Sequence, residues 1–177
     1  MAKKKDTSIR IVGAFALVLG IVAFCMMFVD CVKFELLGVA TSLTGSKIAF
    51  GYTVTQNIII GEVSATVLNF NVLAFLGFLL PLAGGVLALL FKNGLITKIV
   101  TTGCFVAGAV LLFTIASYVS VGFATGGEYF EDIVKPIHEA LQKNASLGAG
   151  AIAGGVLSIV GAVVCFFKGT IAKIFSK

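Results

Sequence analysis

Charged residues are scarce in this sequence, and tryptophan is missing from it. Only 12% of the 177 residues are Asp, Glu, Lys or Arg, whereas soluble domains carry about 25%. A chain of this length could bury a core, but it has too few charges to cover one against water. The sequence also lacks the short motifs of metalloproteases, serine hydrolases, nucleotide-binding loops and dithiol redox sites. These shortages argue against an ordinary soluble domain and leave no motif on which to place a catalytic centre.

Four long apolar runs predict membrane-spanning helices. They cover residues 11–29, 72–91, 99–121 and 147–167, and none of them contains Asp, Glu, His, Lys or Arg. At a rise of 1.5 Å per residue, each run can cross about 30 Å of hydrocarbon. Ionisable residues inside a membrane usually mark ion-coupled transport or proton relays. Their absence counts against a secondary transporter and against an intramembrane hydrolase.

The start of the chain and the turn between the second and third runs complete this outline. Residues 1–10 are basic, so the first run could belong to a signal peptide. It is longer than a signal core and no Ala-x-Ala cleavage site follows it, so we expect a retained span. Residues 92–98 predict a tight turn, because Asn93 and Gly94 break the helix and a lysine stands at each end.

Two more polar segments, residues 30–71 and 122–146, connect the other spans. Residues 32–36 alternate apolar and polar side chains, and residues 48–55 are rich in β-branched and aromatic ones. This pattern predicts a small antiparallel sheet at the membrane surface, with an irregular loop as the alternative. Apolar residues at helical spacing predict an amphipathic helix over residues 128–141 that packs on the sheet. The predicted fold is an all-α membrane protein, a four-helix bundle with a small β-rich outer lobe, in a single domain of residues 1–177.

The distribution of charge predicts the orientation of this bundle. Residues 1–10, 92–98 and 168–177 together hold nine basic and one acidic residue, a net +8, and the rest of the chain holds four basic and seven acidic residues, a net −3, which sum to +5. Lysine and arginine are retained on the cytoplasmic side, so we expect both termini in the cytoplasm and the protein in the cell membrane. The basic side predicts contact with anionic lipids on the cytoplasmic face. Nucleic acid is not expected, because no basic patch is interleaved with aromatic residues.

Small residues recur on one face of three spans, and we predict that they are the helix-packing positions. Lipid provides little hydrophobic drive between helices, so close approach of backbones through small residues supplies the packing. We expect the row in the fourth span to face the row in the first, although a dimer could use one of them instead. The predicted positions are Gly13, Ala16, Gly20 and Ala23 in the first span, Gly77 and Gly84 in the second, and Gly150, Gly154, Ser158 and Ala162 in the fourth.

No cofactor, metal site or catalytic residue is predicted. His138 lies beside Glu139 and close to other carboxylates, which could bind a cation, but a solvated helix face explains the same residues. The four cysteines are expected to be free thiols, with an intermolecular bridge through Cys31 as the alternative. The hydroxyl groups of the third span either line a pathway or bond back to their own helix.

The order of parts resembles the claudin-type tetraspan layout: a span, a strand-bearing outer loop, a tight cytoplasmic hairpin, a shorter outer loop and a last span. The Trp-Gly-Leu-Trp signature and the paired loop cysteines of that family are missing here. The resemblance therefore concerns topology and brings no junction role with it. The chain is also similar to small four-span proteins of bacteria.

Two functions agree with this sequence. We expect a non-enzymatic scaffold or accessory subunit that acts through its outer lobe and its lateral helix contacts, on a membrane-protein partner or a second copy of the chain. The alternative is a channel or transporter component with a hydroxyl-lined third span.

Overall fold

The structure, a computed structural model, describes residues 2–36, 39–58, 61–91, 94–119, 139 and 143–175. The helices are α1 (Ala2–Cys25), α2 (Gly45–Phe50), α3 (Val72–Leu90), α4 (Leu95–Phe113), α5 (Ala149–Phe166) and α6 (Lys168–Phe175). The strands are β1 (Asp30–Leu36), β2 (Val39–Thr44), β3 (Tyr52–Ile58), β4 (Gly61–Leu68) and β5 (Ser146–Leu147).

Four of the described helical segments are long and apolar enough to cross a membrane: Thr7–Phe28, Val72–Leu90, Leu95–Phe113 and Ala149–Phe166. They pack as a ring in which α1 contacts α3, α3 contacts α4, α4 contacts α5, and α5 returns to α1. Many large apolar side chains on the outside of the ring are exposed, as a surface that meets lipid requires. The prediction of four apolar helices with a small sheet is confirmed, and it fits a multi-pass membrane protein.

The boundaries of the third span differ from the predicted ones. Helix α4 begins at Leu95 rather than at residue 99, because Gly94 adopts an extended conformation and takes the N-cap position. The helix ends at Phe113 rather than at residue 121, and the short 3₁₀ turn Ile115–Ser117 follows. Lys98 is therefore part of the helix and not of the preceding turn, and Tyr118 and Val119, which follow the 3₁₀ turn, are not in a spanning helix.

The residues between α1 and α3 form strands, as the alternation of side chains predicted. Strands β1 and β2 pair antiparallel, with β5 on the other edge of β1, and β3 and β4 pair antiparallel with one another. The prediction of β structure is wrong for Ile48 and its neighbours, which form the short helix α2. Gly51, at φ +87°, separates that helix from β3, a conformation that favours glycine. The amphipathic helix expected over residues 128–141 lies outside the residues that the structure describes, apart from Glu139.

The strands, α2 and the near end of the bundle share one hydrophobic core, and we call the part outside the four spanning helices the β lobe (β1–β5 with α2). Val32 and Leu68 of the lobe are fully buried in a cluster with Phe78 of α3 and Leu112 of α4. At the far end of the bundle, α6 packs against α1. The start of α1, the end of α3, the start of α4 and helix α6 consequently lie at the end opposite the β lobe.

Candidate functional site: helix contacts and the β lobe

All ten predicted packing positions are buried, and the two glycines of α1 lie directly against the backbone of α3. A Cβ atom placed on Gly13 would stand 2.7 Å from the carbonyl oxygen of Ala88, and one on Gly20 would stand 2.5 Å from that of Pro81. From the other side, a Cβ on Gly85 would stand 2.8 Å from the Cα of Leu17. Helices α1 and α3 thus meet backbone to backbone, which is how small residues hold helices together in lipid.

The row in α5 contacts two neighbouring helices. A Cβ on Gly150 would lie 2.8 Å from the carbonyl oxygen of Met26, just beyond α1. A Cβ on Gly154 would lie 3.1 Å from the Cδ1 atom of Leu112 in α4 and 3.7 Å from the carbonyl oxygen of Ala23. The first two glycines of the α5 row therefore lie against the end of α1 and against α4, close to the β lobe.

The expected pairing of the α1 row with the α5 row holds for the alanines and is wrong for the glycines. Ala16 lies in a buried cluster with Ala162 of α5 and Ala88 of α3, whereas Gly13 and Gly20 face α3 alone. At 100° per residue, the alanines stand about 60° around the helix from the glycines. One row in the sequence is therefore divided between two neighbours.

The remaining predicted positions face α4 or their own helix. A Cβ on Gly77 would lie 3.3 Å from the Cβ of Leu111, and one on Gly84 would lie 3.0 Å from the ring of Phe105. Ser158 is fully buried and donates a hydrogen bond to the carbonyl oxygen of Gly154 at 2.7 Å. At these three positions the spanning helices are in close contact with a neighbouring helix or with their own backbone.

Asn71, which the sequence analysis did not single out, joins the β lobe to two helices. Its Oδ1 accepts hydrogen bonds from the backbone N–H groups of Leu73 and Ala74, both at 3.1 Å, and so caps α3. Its Nδ2 donates to the carbonyl oxygen of Tyr118 at 2.6 Å, and its backbone N–H donates to that of Ala49 at 3.0 Å. An Asn directly before an apolar helical run is an N-cap signal, so the sequence contained the information for the cap but not for the link to Tyr118.

Lys168 makes the corresponding contact at the opposite end of α3. Its Nζ donates to the carbonyl oxygens of Ala88 and Phe91, the latter at 3.3 Å, and the residue is only 4% exposed. A cation here satisfies carbonyl groups that the last turn of a helix leaves unpaired and complements the helix dipole. Burial lowers the pKa of Lys168 below its ordinary value. The lysine was predicted only as part of a basic tail, and its role as a cap on α3 needed the fold.

Cys31 lies where the lobe meets the bundle. It is fully buried, and its thiol donates to the carbonyl oxygen of Val29 at 3.3 Å. Burial raises the pKa of Cys31 from its ordinary value of 9.0 to about 12, which keeps the thiol protonated. All four cysteines are free, and the burial of Cys31 argues against the intermolecular bridge considered for it.

The hydroxyl groups of the third predicted span, residues 99–121, mostly donate to nearby backbone. Thr101 donates to the carbonyl oxygen of Thr97 at 2.8 Å, and Thr114 donates to that of Val110 at 2.8 Å. The Tyr118 hydroxyl donates to the carbonyl oxygen of Leu111. Side chains bonded back to their own segment are the usual arrangement in a membrane helix.

Strands β3 and β4 form a ribbon of two strands. Among the described residues, each strand pairs only with the other, so the outer edge of each carries backbone groups that no described strand pairs. The ribbon is joined to the core through Val67 and Leu68 at its base. Its two strands contain a single charged residue, Glu62, and no proline or lysine, which are the residues that commonly protect an exposed edge.

Within the residues that the structure describes, no three His, Cys, Asp or Glu side chains come together as a metal site would require; His138 lies outside them. Comparison of the chain with protein-family models, with curated proteins and with solved structures finds no match. The resemblance to the claudin-type layout therefore stays a prediction.

Proposed function

We propose that this chain is a non-enzymatic protein of the cell membrane that acts as a scaffold or accessory subunit, with the β lobe as its contact surface. The observation that carries the proposal is the β3–β4 ribbon. Two-stranded ribbons are marginally stable in water by themselves, and extended partner segments commonly add to such an edge as a further strand. The ribbon stands on a base that is fixed in the core, as a docking element requires.

The interior of the bundle supports a scaffold over a channel. Backbone contact at Gly13 and Gly20 leaves no room for a water-filled path between α1 and α3. The hydroxyl groups of Thr101 and Thr114, which a pathway would need, already donate to their own helix. A channel would have to form between copies of the chain, with the third span facing the pore.

We also propose that both termini are cytoplasmic and that the β lobe is extracytoplasmic. The described residues of the three basic segments, 2–10, 94–98 and 168–175, lie at one end of the bundle, and the lobe lies at the other. In a cysteine-free background, Ser46→Cys should react with an impermeant maleimide in intact cells and Asn93→Cys should not. The reverse labelling pattern would invert the topology.

A pair of measurements tests the scaffold proposal. A protein that co-purifies with the full chain should be lost when residues 53–66 are replaced by a short glycine turn, while the bundle keeps its heat stability. It should be retained by Lys33→Ala, a change on the exposed face of β1. Purified protein in liposomes should pass ions no faster than empty liposomes. Ion flux that depends on the protein, with no partner sensitive to the ribbon, would favour the channel instead.

A further inference from the structure

An open groove of about 440 Å³ runs between α4 and α5 on the outside of the bundle. Its walls are almost entirely apolar and include Val106 and Val110 of α4 and Ile159 and Val163 of α5. All four of these side chains are about half exposed. Because both helices are long and apolar enough to span a membrane, the groove lies at the depth of the hydrocarbon chains of the lipid.

Thr102, one of the residues that line this groove, has a hydroxyl group without a hydrogen-bond partner among the described residues. The hydroxyl oxygen of Thr102 is buried, and it makes no hydrogen bond to any described residue. Its neighbour Thr101, about 100° around the helix, donates to two backbone carbonyl groups instead. A buried hydroxyl without a partner is costly, and an occupant of the groove that accepts a hydrogen bond from Thr102 would remove that cost.

A positive charge lies one helical turn beyond that hydroxyl, towards the α3–α4 turn. Lys98 precedes Thr102 by four residues, so the two side chains lie on the same face of α4, roughly 6 Å apart along the axis. A lysine in the first turn of a helix is unfavourable beside the positive end of the helix dipole. Gly94 is the N-cap of α4, and among the described residues, which do not include 92 and 93, no side chain caps this end of the helix. Free N–H groups together with a cation attract an anion.

We propose that the groove between α4 and α5 is a binding site for one anionic phospholipid of the leaflet next to the α3–α4 turn. Lys98 and the first N–H groups of α4 take the phosphate, Thr102 donates to an ester carbonyl oxygen, and an acyl chain fills the groove past Val106. Cation, hydroxyl and apolar wall occur along α4 in the order of phosphate, ester and hydrocarbon along such a lipid. This site is independent of the scaffold proposal, which concerns the other end of the molecule.

A second copy of the chain is the competing occupant, and the charge decides between them. A helix of a second copy would bring its own Lys98 and its own apolar residues to the same leaflet. It would supply neither an anion for Lys98 nor, from the apolar wall, an acceptor for Thr102. A phospholipid supplies both, together with the hydrocarbon chain.

The test is lipid binding to the purified full chain, measured by native mass spectrometry in a mild detergent with added phosphatidylglycerol or phosphatidylcholine. The wild type should retain one phosphatidylglycerol and prefer it over phosphatidylcholine by about tenfold, the factor that 1.4 kcal/mol of differential binding gives. Thr102→Val, which keeps the shape and removes the hydroxyl, should weaken binding of both lipids about two- to tenfold, the range for loss of one hydrogen bond. Lys98→Gln should remove the preference for phosphatidylglycerol.

Two control variants distinguish the groove from the rest of the surface. Val106→Trp should block the groove and abolish retention, whereas Ala107→Trp, at an exposed position about 100° around α4 from Val106 and outside the groove lining, should not. Thr114→Val removes an exposed hydroxyl outside the groove and should change nothing. Unchanged lipid binding by Thr102→Val or by Val106→Trp would overturn the proposal. So would a dimer in detergent that Val106→Trp dissociates without loss of lipid, because the groove would then hold a second copy.

Discussion

Asn71→Ala should destabilise the protein, because it removes two contacts at the junction between the β lobe and the bundle. The side chain does two separable things: Oδ1 accepts from the N–H groups of Leu73 and Ala74, and Nδ2 donates to the carbonyl oxygen of Tyr118. The residue is 7% exposed, so water cannot readily replace either contact. Alanine removes both.

The size of the effect follows from the two parts. Replacing an Asn N-cap by Ala costs about 1 kcal/mol, and losing the hydrogen bond to Tyr118 costs a further 0.5–1.5 kcal/mol or so. We therefore expect the free energy of unfolding to fall by roughly 2 kcal/mol. Asn71→Ser separates the parts, because serine caps a helix about as well as asparagine but cannot donate across to Tyr118. The serine variant should lose about half as much.

Unfolding in mixed micelles by titration with sodium dodecyl sulfate measures these differences. The order wild type, then Asn71→Ser, then Asn71→Ala is the expected result. Ser42→Ala, at an exposed position of β2, serves as the control and should cost less than either. If the alanine and serine variants unfold together, the cap contributes nothing. If the alanine variant matches the wild type, the link between β lobe and bundle is not where the structure places it.

Three further perturbations test other parts of the fold. Gly20→Ala should cost roughly 1–3 kcal/mol of stability through overpacking against the backbone of α3, whereas Gly103→Ala, with open space at its Cβ position, should be neutral or gain about 0.5–1 kcal/mol; comparing their melting temperatures in detergent checks both. Lys168→Met should destabilise by roughly 1.5–3 kcal/mol through loss of charge-assisted bonds to the end of α3, and the exposed Lys173→Met by much less, measured by the same titration. Stability should fall as the pH rises from about 9 towards 12, because unfolding lets the Cys31 thiol ionise while folding keeps it protonated; Cys31→Ala should lack that part of the pH dependence.

The sequence predicted the spanning helices well because uninterrupted apolar runs have few alternatives. The second predicted span, residues 72–91, differs from α3 by one residue at its end. The third was misplaced because composition cannot show where a helix stops. Thr114 and Ser117 were predicted to lie within the span. In the structure their hydroxyl groups donate to backbone carbonyl groups at the end of α4 and in the 3₁₀ turn that follows.

The β lobe was predicted in outline and misjudged at one segment. Alternation along β1 was sufficient to predict a strand there. The residues around Ile48 are as apolar and β-branched as a buried strand, and a run that short does not distinguish a strand from a turn of helix. What decides for helix is tertiary: Ile48 and Ala49 are buried against α3, and Gly51 then reverses the chain into β3.

The packing positions show the same limit. Rows of small residues predicted helix-packing positions, with a dimer contact left open for one of the rows, and all ten positions are buried within this chain. They did not predict which neighbour each would meet, since a row of period seven around a helix offers two adjacent faces. The contacts of Asn71 and Lys168 were missed for a related reason. A side chain that caps its own helix can be recognised in the sequence. A hydrogen bond from one segment to the end of another helix depends on how the helices are arranged.

Contacts along α3 connect the β3–β4 ribbon to the spanning helices. The ribbon enters the core at Leu68 and is followed at once by Asn71, whose contacts tie the start of α3 to α2 and to the segment after α4. The far end of α3 is held by Lys168, and its middle lies against the backbone of α1 at Gly20. Helix α3 is therefore held by contacts at its start, middle and end. A partner bound to the ribbon, as proposed, would be connected through α3 to the whole bundle. A scaffold needs such a rigid connection, whereas the gate of a channel must be able to move.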